Sequence, residues 1–184
     1  MENIKQRLSE VVHNWSYIGM ITLFLFTVQP GPEATQALQV EIPVKSTVQL
    51  KKETLEKYST TVYKPSEMLT DGELKELLSA VGFEGKALKQ AWAIAKSESN
   101  ARPMAYNGNR NTGDSSYGIF QINMLGQLGI DRKEKFELRS NILLLDPVIN
   151  AEITYYMTKG GTDWSSWSSL NGARYKEFLM EFQN

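Results

Sequence analysis

Leu88, Ala91, Ala95 and Glu98 follow one another at spacings of three, four and three residues, so on a helix they share one face. That face is apolar except for Glu98. A carboxyl group there loses water, which penalises its charged form and raises its pKa. An acid that keeps its proton near neutral pH can donate it to a leaving oxygen, as glycosidic bond cleavage requires of its general acid. The plainer reading is a Glu at a helix end, frayed into solvent, and periodicity alone does not separate the two. Other reactive groups are scarce. The chain has 184 residues, no Cys and a single His, His13. Disulfide frameworks, thiolate metal sites, His-based triads and multi-His metal centres are thereby excluded. The formal net charge of −1 provides no broad basic field for nucleic acid.

A scaffold must hold Glu98 in place. Hydrophobic residues make up 41% and charged residues 22%, an ordinary globular balance, and the length suits one domain plus an extra segment. Thr70 and Glu73 form a capping-box pattern ahead of Leu74, Leu77, Leu78 and Val81, with Gly82 as the stop. A second helix is predicted over 85–99, ending at Asn100 and Pro103. Residues 105–117 are loop-rich, and a short apolar block follows at 119–128. Ser140-Asn141 opens an amphipathic segment with Leu143, Leu144 and Leu145 that breaks at Asp146-Pro147. Val148, Ile149, Ala151, Ile153, Tyr156 and Met157 support a further helix that stops at Gly160-Gly161. A last helix begins near Asn171 and carries Tyr175, Phe178, Leu179 and Phe182. The expected fold is mainly α, with an α-rich domain over 67–184.

Two segments precede that domain. Lys5 and Arg7 stand before an apolar run over 15–28, which Pro30, Gly31 and Pro32 end. Its strongly apolar part is shorter than the ~20 residues of a spanning helix. Extension back to Val11 adds length only by including His13 and Asn14. Three readings stand for 1–28. One is an uncleaved anchor with Lys5 and Arg7 in the cytoplasm. Another is a cleaved signal with Thr35 and Ala37 as the small pair. The third is a helix that packs on a partner protein. Membrane contact is expected through 11–28. Residues 29–66, punctuated by Pro30, Pro32, Pro43 and Pro65, read as a linker. Within it Val40, Ile42 and Val44, then Val48 and Leu50, alternate with polar residues in a strand-like way.

Glu98-Ser99-Asn100 at a helix end, a polar loop, and then Tyr117-Gly118-Ile119-Phe120-Gln121-Ile122-Asn123 resemble the core of the lysozyme-like superfamily, of the type found in soluble lytic transglycosylases and phage virion lysozymes. The loop Asn109-Arg110-Asn111-Thr112-Gly113-Asp114-Ser115-Ser116 is similar to the equivalent loop of animal c-type lysozymes. Asp146-Pro147 with Asn150 and Ala151 resembles the family's following helix. Trp164-Ser165-Ser166-Trp167, Gly172 and Tyr175 are similar to the end of phage-type members. The likeness covers about residues 75–182. It implies a peptidoglycan-cleaving enzyme that needs no cofactor or metal, with Glu98 as the catalytic acid. Ser99 would touch the glycan, orient Glu98 or cap the helix end. Ser116, Tyr117, Gln121 and Asn123 would line the glycan site, with Tyr117 instead packing the loop and Gln121 instead bonding to it as the alternatives. Asn150 would face the cleft or sit exposed on its helix. Tyr155 and Tyr156 point different ways, so at most one reaches the glycan, and Tyr156 is the candidate. Trp164 would offer a ring to a sugar face, although its spacing of three from Trp167 also suits a core pair.

One departure bears on mechanism. Animal c-type lysozymes carry an Asp, their second carboxylate, immediately before the Tyr-Gly pair, where this chain has Ser116. Asp114, two residues earlier, is the candidate replacement, or else an Asx-type turn residue beside Gly113. Retaining glycosidases hold the second carboxylate about 5 Å from the acid. The resemblance to lytic transglycosylases implies instead that one Glu suffices. There the substrate's N-acetyl group stabilises the developing charge, and its C6 hydroxyl replaces water to give a 1,6-anhydro sugar. Ser116 tilts the reading toward a lytic transglycosylase that cleaves the bond between N-acetylmuramic acid and N-acetylglucosamine. The alternatives are a hydrolytic muramidase, a chitin-directed glycosidase, and a non-catalytic glycan-binding or virion structural protein. The expected setting is local opening of the cell wall. The protein would belong to a phage virion, or be exported or anchored and act in the periplasm or cell wall, with virion or envelope-complex proteins as partners.

Overall fold

A left-handed turn and a capping box frame the region that carries Glu98. The computed structural model describes residues 46–109, 111 and 113–182. The apolar run at 11–28 and the alternation at Val40, Ile42 and Val44 lie outside them.

Helix α1 spans Thr47–Thr60, α2 Asp71–Val81 and α3 Gly85–Ser99. At the start of α2, Thr70 Oγ1 accepts from Glu73 N–H at 3.3 Å, and Glu73 Oε2 accepts from Thr70 N–H at 2.8 Å. This is the reciprocal cap that the spacing predicts. Those same bonds hold the Glu73 carboxyl below the usual carboxylate range. Gly82, at φ +124°, stops α2, and its N–H returns to Leu78 O. Helix α3 ends at Asn100, whose φ of 57° and ψ of 35° are left-handed, as a C-terminal cap position favours.

The stretch expected as a linker over 29–66 differs from that expectation in its second half. Ser46 caps α1 by accepting from Gln49 N–H at 3.2 Å. Leu55 and Tyr58, three residues apart, are buried, and α1 packs on α2. The Tyr58 hydroxyl donates to Glu76 Oε2 at 2.5 Å and ties the two helices together. Val48 and Leu50, whose alternation suggested a strand, are solvent-facing residues of this helix, 79% and 50% exposed. Their period therefore carried no packing information, whereas the helical spacing of Leu55 and Tyr58 did.

After α3 the chain forms a small antiparallel sheet, with β1 at Tyr106–Asn107, β2 at Ser116–Tyr117 and β3 at Ile122–Asn123, in that spatial order. Tyr106 faces Tyr117, and Ser116 faces Asn123. Helix α4 then runs Gly126–Phe136. A 3-10 helix at Asn141–Leu145 leads into α5 at Pro147–Met157. Asp146 caps α5 by accepting from Val148 N–H at 2.8 Å, with Pro147 in the first turn, where its missing N–H costs nothing. A second 3-10 helix, Ser168–Asn171, precedes α6 at Ala173–Glu181. The fold is mainly α, as expected. Helix α3 is central, packed by α2, by α6 and by the second 3-10 helix, while α5 packs on α1 and α2. Leu74, Leu77, Leu78, Phe83, Ile94, Phe120 and Ile153 form the core between these elements. No helix among the described residues is long and apolar enough to cross a membrane.

Candidate active site

Glu98 lies in the last turn of α3, half-buried, and Ala91 and Ala95 on the same face are buried in the core. Burial pushes the Glu98 carboxyl above its ordinary pKa, and the negative charge of Asp114 adds to the rise. The Ser169 hydroxyl works against both by favouring the charged form. That hydroxyl is buried and, although it lies close enough to favour the charged form of Glu98, completes no full hydrogen bond among the described residues. The helix end itself is firmly fixed. Asn100 and Ala101 both adopt left-handed backbone, at φ 57° and 56°. For Ala101 that conformation is strained. It is held by Ala101 N–H donating to Ala95 O at 3.2 Å and by Leu69 N–H donating to Ala101 O at 3.0 Å. The reversal therefore presents Glu98 at the mouth of the core.

In front of Glu98 is a cleft of about 380 Å³. One wall is helical and aromatic, made by Glu98, Met157 and the segment Ser166, Trp167 and Ser168. Trp167 donates its indole N–H to Phe120 O at 2.9 Å, and its ring meets those of Phe120 and Trp164. The other wall is polar and comes from the sheet and its loops: Asn107, Asp114, Ser116, Gln121, Ile122 and Asn123. Leu128 and Arg132, one turn apart on α4, complete the lining.

Asp114 is anchored in this polar wall. Its two carboxylate oxygens accept from the Ser116 hydroxyl and, at 2.5 Å, from the Asn107 amide. Its backbone N–H donates to Asn109 O at 3.0 Å. The residue that stands where a c-type lysozyme has Asp thus holds a carboxylate delivered from two positions upstream.

The remaining predicted residues separate into cleft and scaffold. Gln121 lines the cleft, but its amide N–H groups donate to Gly118 O at 2.9 Å and Ala105 O at 3.3 Å, which supports its own left-handed φ of 49°. Its amide oxygen accepts no hydrogen bond from the described residues. Asn123 lines the cleft while bonding Gly113 O and Leu125 N–H, at 3.2 and 2.9 Å. Ser99 is buried, contrary to a glycan contact. Its hydroxyl donates to Ile119 O at 2.8 Å and accepts from Arg102 N–H at 3.2 Å, so it fastens the helix end to the loop. Asn150 is also buried rather than cleft-facing. It accepts from Phe120 N–H and donates to Tyr117 O and Leu144 O, each at 2.9 Å. Close packing explains the neighbouring glycine, because a Cβ on Gly118 would lie 2.2 Å from Leu144 O and 2.3 Å from the Asn150 amide nitrogen.

Trp164 belongs to the core. Its indole N–H donates to Gly161 O at 3.0 Å, and its ring stacks on Phe83. It sits with Trp167 in a turn, not on a shared helical face, with Trp167 N–H donating to Trp164 O. Tyr156 lies outside the cleft, edge-on to Phe136 and beneath the Lys135 ammonium. Tyr117 likewise lies off the cleft lining, packed against the exposed Tyr106. Nothing in the sequence marks Asn107, Leu128, Arg132, Met157, Ser166, Ser168 or Ser169 as site residues by chemistry. The spacing of Leu128 and Arg132 is the one signal among them, and it becomes readable only once α4 is known to be a helix. Among the described residues no group of His, Asp and Glu gathers as a metal site.

Residues 75–169, just over half of the chain, match the family described as lysozyme-like domain. The chain belongs to this family, the lysozyme-like superfamily in its lytic transglycosylase type. No curated protein and no solved structure matches it. At the level of the family, the fold is one that acts on peptidoglycan by breaking glycosidic bonds.

Proposed function

We propose that the protein is a peptidoglycan lytic transglycosylase that uses Glu98 first as acid and then as base. The observation that carries this reading is the half-buried Glu98 carboxyl, raised in pKa chiefly by desolvation and opening onto a cleft. In its neutral form Glu98 protonates the glycosidic oxygen between N-acetylmuramic acid and N-acetylglucosamine. The bond breaks through an oxocarbenium-like state. The new carboxylate then takes a proton from the C6 hydroxyl of the same sugar as that oxygen closes the anhydro ring. Asp114 already receives a hydrogen bond on each oxygen, which blunts it as a nucleophile and suits it to act as a fixed negative charge near the developing cation. The same carboxylate favours a second reading, hydrolytic muramidase, in which water is the incoming nucleophile.

Digestion of purified peptidoglycan followed by mass spectrometry separates the two. Transglycosylation gives fragments lighter by one water than hydrolysis does. Intact strands after prolonged digestion would overturn both readings in favour of a glycan-binding protein. For the cellular setting, we place the domain outside the cytoplasm, making local cuts for the passage of a phage genome or the assembly of envelope machinery. Protease protection of the full chain in spheroplasts tests that placement.

A further inference from the structure

Arg132 stands apart from the chemistry described so far. It lines the cleft from α4, and its guanidinium is half-buried. One Nη1 hydrogen is fixed on Asn123 O, which leaves the rest of the fork without a partner among the described residues. No described carboxylate lies within ion-pair distance of it. Burial lowers its pKa, although Glu98 and Asp114 line the same cleft. A desolvated guanidinium, oriented by a backbone carbonyl and lacking an anion, is completed by a carboxylate, whose two oxygens match the fork.

Resting on the glycan-cleaving reading above, we propose that Arg132 forms a subsite for a carboxylate on the lactyl arm of the muramic acid unit. Two sources share this chemistry. Where the stem peptide has been removed, the lactyl carboxylate itself is free. Where the stem is present, the lactyl group is an amide, and the peptide carries the carboxylates. Chitin-like strands of N-acetylglucosamine have no lactyl arm, so the subsite would discriminate between cell-wall glycan and chitin.

The test measures binding and does not require turnover. Calorimetry on the Glu98→Gln protein compares N-acetylglucosaminyl-N-acetylmuramic acid, its lactyl methylamide, and the same disaccharide carrying L-Ala-D-Glu. The free acid or the dipeptide form should bind about tenfold or more tightly than the methylamide, and added salt should narrow the gap. Whichever of the two binds better identifies the source of the carboxylate. In Glu98→Gln/Arg132→Gln the preference over the amide should vanish, and in Glu98→Gln/Arg132→Lys it should be intermediate. Melting curves for each variant keep a misfolded protein from passing as a lost preference. Equal binding of all three ligands by the Arg132 protein, or a preference that survives without Arg132, would overturn the subsite. Failure of the wild-type enzyme to cut peptidoglycan would overturn the proposed function separately, because the binding preference is read without cleavage.

Discussion

Glu98 and Asp114 open onto one cleft from different walls, and the walls treat their carboxyl groups differently. On the α3 wall Glu98 is half-buried, with the Ser169 hydroxyl as the one side chain favouring its charged form, and burial raises its pKa. The sheet wall satisfies each oxygen of Asp114 with a donor. One carboxyl is thus tuned by what it lacks and the other by what it is given. Environment, more than residue type, separates a proton donor from a fixed charge.

Replacement of Glu98 tests that contrast most severely. Glu98→Gln should cut kcat/KM on peptidoglycan by about a thousandfold or more. It should also alter stability in a pH-dependent way. Because burial raises the folded-state pKa, the folded protein holds this proton more tightly than the unfolded chain does. The stability this lends is complete below the ordinary carboxyl pKa and is lost as pH rises through the raised value. The Gln variant has no such loss, so thermal melts should show it gaining on wild type from acid toward neutral pH. An advantage that instead grows toward acid would refute the assignment of burial as the cause.

Asn150 joins the two walls, and Asn150→Ala should leave the Phe120 N–H orphaned in the core. A loss of about 3 kcal/mol in urea unfolding is expected, with activity falling as the sheet wall loosens. Next in size, Asp114→Asn should lower kcat/KM by about tenfold if the carboxylate serves as a fixed charge. It should also move the alkaline limb of the pH–rate profile toward acid, because one cause of the raised Glu98 pKa is removed. A loss as deep as that of Glu98→Gln would instead favour the hydrolytic reading with Asp114 as an essential partner. The smallest effect belongs to Ser169→Ala, which should move the same limb in the opposite direction, toward alkaline pH, with only a few-fold change in rate. Movement of the alkaline limb in the same direction in both variants would break the comparison.

The helical wall was the legible one. The Thr70–Glu73 cap, the stop at Gly82 and the apolar steps along 85–99 all act locally, so the sequence displays them directly. The polar wall was visible only as a loop, because its strands are two residues each and too short to show alternation. Helix α4 left little trace, because only Gly129 and Phe136 of its residues are buried and no apolar stripe marks it. The resemblance, and not any local pattern, puts Asn150 and Ser99 among the glycan-site residues. Here they satisfy backbone groups that the sharp turns at 100–101 and 118–121 would otherwise strand. Such roles depend on contacts across 20 to 30 residues of sequence, as in Ser99 with Ile119 and Asn150 with Phe120, which no local pattern records.

Trp167 carries a further consequence. It forms part of the cleft lining, whereas Trp92 sits in the core against the rings of Phe178 and Phe182 on the C-terminal side of the molecule. The indole of Trp164, 5.4 Å away, couples to the Trp167 ring. On the proposed reading, a glycan seated in the cleft should change the polarity felt by Trp167 while Trp92 stays screened. Titration with unlabelled glycan, followed by fluorescence emission, would then report occupancy of the cleft directly.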